Sequence, residues 1–186
     1  CEAPKHPAIS FIRFSDIHLT SDLGFEGAST DFYIISLKTL AGQLKYGRGY
    51  YDFEEGTLTF SSPNQVMYPS HLMSDIEDDD GWSLVFHSDL LFGTELGKKI
   101  HQYSFFSYEV NEALHISDGE KQRIMECIKN IVDEYNQNLD QHSQEIIVTN
   151  LELLLNYCNR FYDRQFLTRK KQNSGIVNKI EQLLKD

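Results

Sequence analysis

The 186-residue chain is 40% hydrophobic, 24% charged and 12% aromatic with four prolines, the composition of a folded domain with its own core and not of a disordered or fibrous chain. Seventeen Lys and Arg against 28 Asp and Glu leave a net charge of −11, which repels nucleic acid, and no run approaches the roughly 20 apolar residues of a membrane-spanning helix. A soluble, cytoplasmic protein that makes no use of a membrane is expected. Cys1, Cys127 and Cys158 fit neither a disulfide framework nor a zinc site and suit a reducing cytosol, while Cys1 also permits a lipidated N terminus.

Residues 1–116 consist of short apolar runs, rich in aromatic and β-branched side chains, between turns built from Gly, Pro and Asn. This pattern predicts strands at 9–14, 32–38, 43–46, 50–53, 57–61, 65–67, 82–87 and 105–110. Eight short strands at such spacing predict a sandwich or a small barrel. Alternation within 82–87 puts Trp82, Leu84 and Phe86 on one face and Ser83, Val85 and His87 on the other, the aromatic face being expected to look inward. Tyr33, Tyr46 and Tyr68 on neighbouring strands would add phenolic hydroxyls, and Arg48 in the Gly47-Arg48-Gly49 turn would guard the mouth. Together with Trp82 and Phe86 they form a candidate lining for a small polar ligand, a sugar or an organic acid.

At Ser117 the pattern turns helical. Ser117-Asp118-Gly119-Glu120 reads as a capping box, and Ile124, Met125, Ile128, Ile131, Val132, Tyr135 and Leu139 occupy an arc of about 120° behind it. A second helix over 143–166 spreads its apolar residues over roughly 220°, more than one partner surface accounts for. The neighbouring helix and the β-region can supply both surfaces, or a second copy of the chain can take one of them through Ile147, Leu151, Leu153, Leu154, Tyr157 and Phe161. Residues 168–173 read as a polar basic linker, and Ser174 as the cap of a last amphipathic segment whose stripe has nothing after it to cover it, as in a piece of something longer. Between Arg164 and Asp186 six bases face two acids, a local +4 that leaves −15 on the body.

Other chemistries find little support. The acidic stretch Asp75-Ile76-Glu77-Asp78-Asp79-Asp80 fails the register of a helix-flanked calcium loop, because Asp80 stands where glycine is needed and Phe86 where glutamate is needed. The seven histidines include no His-x-His and no His-x-x-x-His pair. No Gly-x-Ser-x-Gly elbow, dinucleotide loop or Walker loop occurs. No catalytic residue, metal or cofactor is expected. The alternatives are a stand-alone cupin enzyme, such as a sugar isomerase or dioxygenase, and a carbohydrate-binding module.

The order of segments resembles the N-terminal regulatory half of AraC/XylS-type transcription regulators. The matching pieces are Asp31-Phe32-Tyr33-Ile34-Ile35, Tyr51 to Phe60 running into Pro63-Asn64-Gln65-Val66, Gly81-Trp82-Ser83-Leu84-Val85-Phe86, and the stretch from Leu154 to Phe166 with its Arg160-Phe161-Tyr162-Asp163-Arg164-Gln165-Phe166 ending. The resemblance implies an α+β chain. Residues 1–116 would form a double-stranded β-helix (cupin-like) barrel that binds a small effector, and 117–167 a helical hairpin that makes a homodimer. Residues 168–186 would be a linker and the start of a C-terminal domain with two helix-turn-helix motifs, the part through which DNA is bound.

Overall fold

A computed structural model describes residues 6–17, 28–38, 42–46, 49–53, 56–67, 81–106, 113–137 and 140–183, with the backbone alone described at 28, 42–46, 49–53, 67 and 166–183. The strands are β1 (Ile9–Arg13), β2 (Ala28–Ser29), β3 (Phe32–Lys38), β4 (Gly42–Tyr46), β5 (Gly49–Phe53), β6 (Thr57–Ser61), β7 (Val66–Met67), β8 (Trp82–His87) and β9 (Leu114–His115). The helices are α1 (Glu95–Lys99), α2 (Asp118–Asn136) and α3 (Ser143–Leu183).

The strands form two antiparallel sheets, one in the order β1-β8-β3-β6-β9 and one in the order β2-β7-β4-β5. Among the described residues no strand pairing joins the two, so the larger sheet ends at β1 on one side and β9 on the other and the expected barrel is not closed. The chain is α+β, a five-stranded antiparallel sheet followed by a two-helix hairpin of α2 and α3.

Pairing register sorts the larger sheet into two chemically different faces. Ile35 lies opposite both Leu84 and Phe60, Leu37 opposite Trp82 and Leu58, and Tyr33 opposite Phe86, so one face is a continuous apolar surface. The same register puts Ser36 opposite Ser83 and Thr59, Ile34 opposite Val85 and Ser61, and Thr57 opposite His115 on the other face. The apolar face is the buried one, with Ile35, Leu58, Leu84 and Phe86 wholly enclosed, and it forms a single core with Ile124, Ile128 and Ile131 of α2 and Ile147, Leu151 and Leu154 of α3.

The segment 105–110 is not a strand where it is described: Ser104–Phe106 is a 3-10 turn, and 107–110 lie outside the described residues. Phe105 and Phe106 are both buried and both meet Phe60, at ring-centroid distances of 4.2 and 5.9 Å. Adjacent residues of a strand point to opposite faces, and only a turn lets two consecutive rings enter one core. Residues 168–173, expected as a linker, are helical in backbone, since α3 runs unbroken to Leu183. Arg, Lys and Gln are good helix formers, and a polar basic composition without proline does not stop a helix.

Gly81 leads into β8 where the sheet closes on Phe14. A Cβ there would stand 2.4 Å from the Leu37 carbonyl oxygen and 2.7 Å from the Phe14 ring. Gly81→Ala is therefore expected to cost about 1–3 kcal/mol of stability through overpacking, read as a lower urea midpoint with an unchanged slope.

Candidate functional site

The α3 helix is bound to the β-region by side chains that leave little freedom. Gln165 spans two backbone groups around β9: its Nε2 donates to the Ala113 carbonyl at 3.0 Å and its Oε1 accepts from the His115 N–H at 3.0 Å. Tyr103 donates its hydroxyl to Asn156 Oδ1 at 2.9 Å, Gln144 Nε2 donates to the Leu90 carbonyl at 2.9 Å, and Lys99 pairs with Glu152. The Phe105 and Tyr162 rings meet edge-on at 5.9 Å, and Tyr135 of α2 meets the Phe11 backbone of β1.

The two helices are fastened at the expected capping box. The Ser117 backbone N–H and hydroxyl both donate to Glu120 Oε2 at 2.9 Å, satisfying the start of α2, while the Arg164 guanidinium grips the same carboxylate from α3 through Nη1 and, at 3.2 Å, Nη2. Burial alone would raise the pKa of Glu120, but hydrogen bonds from Arg164 and then Ser117, with the guanidinium charge, bring it below the ordinary value. Asp140 caps the other helix of the hairpin, accepting from the His142 and Ser143 N–H groups at 2.8 and 3.2 Å.

The structure brings Tyr33, Trp82 and Phe86 together on the apolar face. Tyr33 stacks on Phe86 with centroids 5.1 Å apart, and Trp82 is 3% exposed against Phe11. That face is spent on the helical core, so a ligand could stack on Trp82 or Phe86 only by entering it. Trp82 and Phe86 are buried, in a core shared with α2 and α3 and not in the interior of a closed barrel. The backbone of Tyr46 lies in β4, while its side chain, Arg48 and Tyr68 lie outside the described residues.

The opposite face carries the polar chemistry. Ser36 and Ser83 share a hydrogen bond of 2.6 Å between their hydroxyls, Thr57 Oγ1 stands 3.2 Å from His115 Nδ1, and Thr59, Ser61 and His87 continue the series. This face is not open to water along its length, for Thr57 and Ser61 are 0% and 4% exposed. Lys38, also buried, rests its ammonium 4.3 Å above the Phe14 ring. Sequence alternation revealed which residues share this face but not that it is the face turned away from the helices.

On the hairpin, Ile147, Leu151, Leu154 and Phe161 are buried within the chain and cannot meet a partner without opening the core. The wide apolar arc of α3 is mostly filled by α2 on one side and the sheet with its connecting turns on the other. Of the six expected interface residues, Leu153, 45% exposed, and the half-buried Tyr157 remain, joined by Ile146 at 42%. These three fall at spacings of seven and four, on one stripe of α3.

Among the described residues no group of three or more His, Cys, Asp or Glu is placed to hold a metal ion, and no helix is long and apolar enough to cross a membrane. Burial raises the pKa of both the Cys127 and Cys158 thiols, so neither is an activated nucleophile. No protein-family model and no curated protein matches the chain.

Replacing Gln165 with Ala should leave the His115 N–H and the Ala113 carbonyl without their partner, at a cost of about 1–3 kcal/mol in urea unfolding. For Glu120 the lowered pKa means that its contribution is complete above the ordinary carboxylate pKa and lost as pH falls through the lower folded value. The stability of the chain should therefore fall steeply below about pH 4.5, and that of Glu120→Gln less steeply, in urea midpoints measured across the acid range.

Proposed function

We propose that this chain is the effector-sensing and dimerisation part of an AraC/XylS-type transcription regulator, cytoplasmic and without catalytic role or cofactor. In that reading the β-region is a cupin-like body that holds a small polar effector, a sugar or an organic acid, and DNA is contacted through a C-terminal domain with two helix-turn-helix motifs.

The observation that carries the proposal is the hairpin. It covers the sheet, is clamped to it by Gln165, and still presents Ile146, Leu153 and Tyr157 outward on one stripe. A second copy related by a two-fold axis would cover that stripe with its own. The effector meets the sheet on its hydroxyl-bearing face, where Ser36, Thr59, Ser83 and His87 offer donors and acceptors suited to sugar hydroxyls or a carboxylate, while Tyr33, Trp82 and Phe86 keep the far face rigid. Because the sheet is one residue layer thick, displacement of β3 or β8 by a ligand on that face is felt at once by the core beneath the helices.

Sedimentation equilibrium of the intact chain should show a dimer at tens of micromolar, and Leu153→Glu should weaken it by about 100-fold or more without changing the circular dichroism spectrum. A monomeric wild-type chain at that concentration would remove the dimerisation half of the proposal. The sensing half is checked by thermal shift against sugars and organic acids, where a stabilising compound should lose its effect in Ser83→Ala, a change that removes the hydroxyl and adds no bulk.

A further inference from the structure

A groove of about 500 Å³ runs along the hairpin between α2 and α3, lined by Glu120, Arg123, Tyr157, Arg160, Phe161 and Arg164. Glu120 is the one acid among these lining residues and is engaged by Arg164, so the groove carries an excess of positive charge in a chain whose net charge is −11. Neither Arg123 nor Arg160 has an ion-pair partner among the described residues. The Tyr157 and Phe161 rings are stacked at 6.0 Å and 18°, with the Arg123 guanidinium 6.0 Å from the first ring and the Arg164 guanidinium 5.8 Å from the second. Aromatic faces beneath guanidinium groups hold them in place and leave their N–H edges free to grip an oxyanion.

We propose that this groove binds a doubly charged oxyanion, a phosphate group or a dicarboxylate, between Arg123 of α2 and Arg160 of α3. The acidic remainder of the protein disfavours anions over most of its surface, and two guanidiniums without an acid partner among the described residues, one on each helix, concentrate them here. Arg164 adds to the field but is committed to Glu120, so it is Arg123 and Arg160 that close on the ligand. Bound there, the anion ties α2 to α3 a second time, beside the Glu120–Arg164 pair. The inference goes beyond the regulator reading, and although Tyr157 belongs both to the groove and to the outer stripe of α3, every residue of the groove comes from one hairpin, so that anion binding needs no second copy.

The test is calorimetric titration of the intact chain with inorganic phosphate and with malonate at constant ionic strength. Saturable binding near one equivalent is expected, weakened about 10-fold or more in Arg123→Gln and in Arg160→Gln and unchanged in Lys129→Gln on the same helix. Tighter phosphate identifies a phosphate-bearing ligand, and tighter malonate a dicarboxylate. The arginine side-chain N–H resonances of the unmodified chain give a second readout that needs no variant, and two of them should shift with phosphate. Absence of saturable binding by both anions overturns the proposal, as does binding that survives in the double variant. So does an Arg160→Gln chain that changes its sedimentation but not its anion affinity, which would mark the groove as a protein contact. A monomeric chain that still binds phosphate leaves this inference standing and removes only the dimer.

Discussion

Ile9, Ile35, Leu37, Leu58, Phe60, Trp82, Leu84 and Phe86 make one face of the larger sheet, and taking that face out of water is the constraint from which the other contacts follow. Burying side chains of this size is worth about 1.5–3 kcal/mol each, against about 0.5–1.5 kcal/mol net for a typical hydrogen bond between neutral groups. A two-sided covering would close the sheet on itself, but this face is covered by α2, α3 and the aromatic turn at Phe105 and Phe106. The helices are therefore not an appendage to a finished β-domain. They are half of its core, and the sheet has no independent interior on that side.

From this sharing follows the division of labour on α3. A helix placed between a sheet and another helix has to be apolar over a wide arc, which is why Ile147, Leu151, Leu154, Leu155 and Cys158 are all buried while Leu153 is left outside. The polar clamps sit at the rim of the core, where Gln165, Asn156 and Gln144 satisfy backbone and side-chain groups that the apolar contacts cannot. Any signal between the hydroxyl face of the sheet and the outer stripe of α3 has to cross a close-packed core pinned at these points. Such a core shifts as a block and does not deform gradually.

Apolar, aromatic and β-branched runs between turn residues made 32–38, 57–61 and 82–87 legible to the residue, although of the three only 82–87 buries every second side chain, and the capping box placed the start of α2. What alternation does not carry is the partner of a face. Trp82, Leu84 and Phe86 share a face in any strand, but whether a ligand or a helix covers it depends on residues far along the chain, such as Phe105, Ile124 and Leu151. The short strands β2 and β9, two residues each, are defined by pairing and have no periodicity of their own to read. The helix α1 did leave a signal, Thr94 capping with its Oγ1 accepting from the Gly97 N–H and Lys98 and Lys99 in the last turn, that a strand-dominated region masked. The width of an apolar arc, likewise, counts surfaces without saying whether they belong to the same chain.

The stretch from Arg160 to Phe166 is a main ground of the proposed regulator reading, and the geometry gives most of it an architectural role. Phe161 and Tyr162 are buried, Arg164 holds Glu120 at the start of α2, and Gln165 holds β9. A motif whose side chains fasten a helix to a sheet specifies where the hairpin attaches, and it does so whatever the body senses or the hairpin meets. Function has to be sought where side chains are left over once the fold is satisfied. Those are the hydroxyls facing away from the helices, the stripe of Ile146, Leu153 and Tyr157, and the two arginines, Arg123 and Arg160, that no acid among the described residues neutralises.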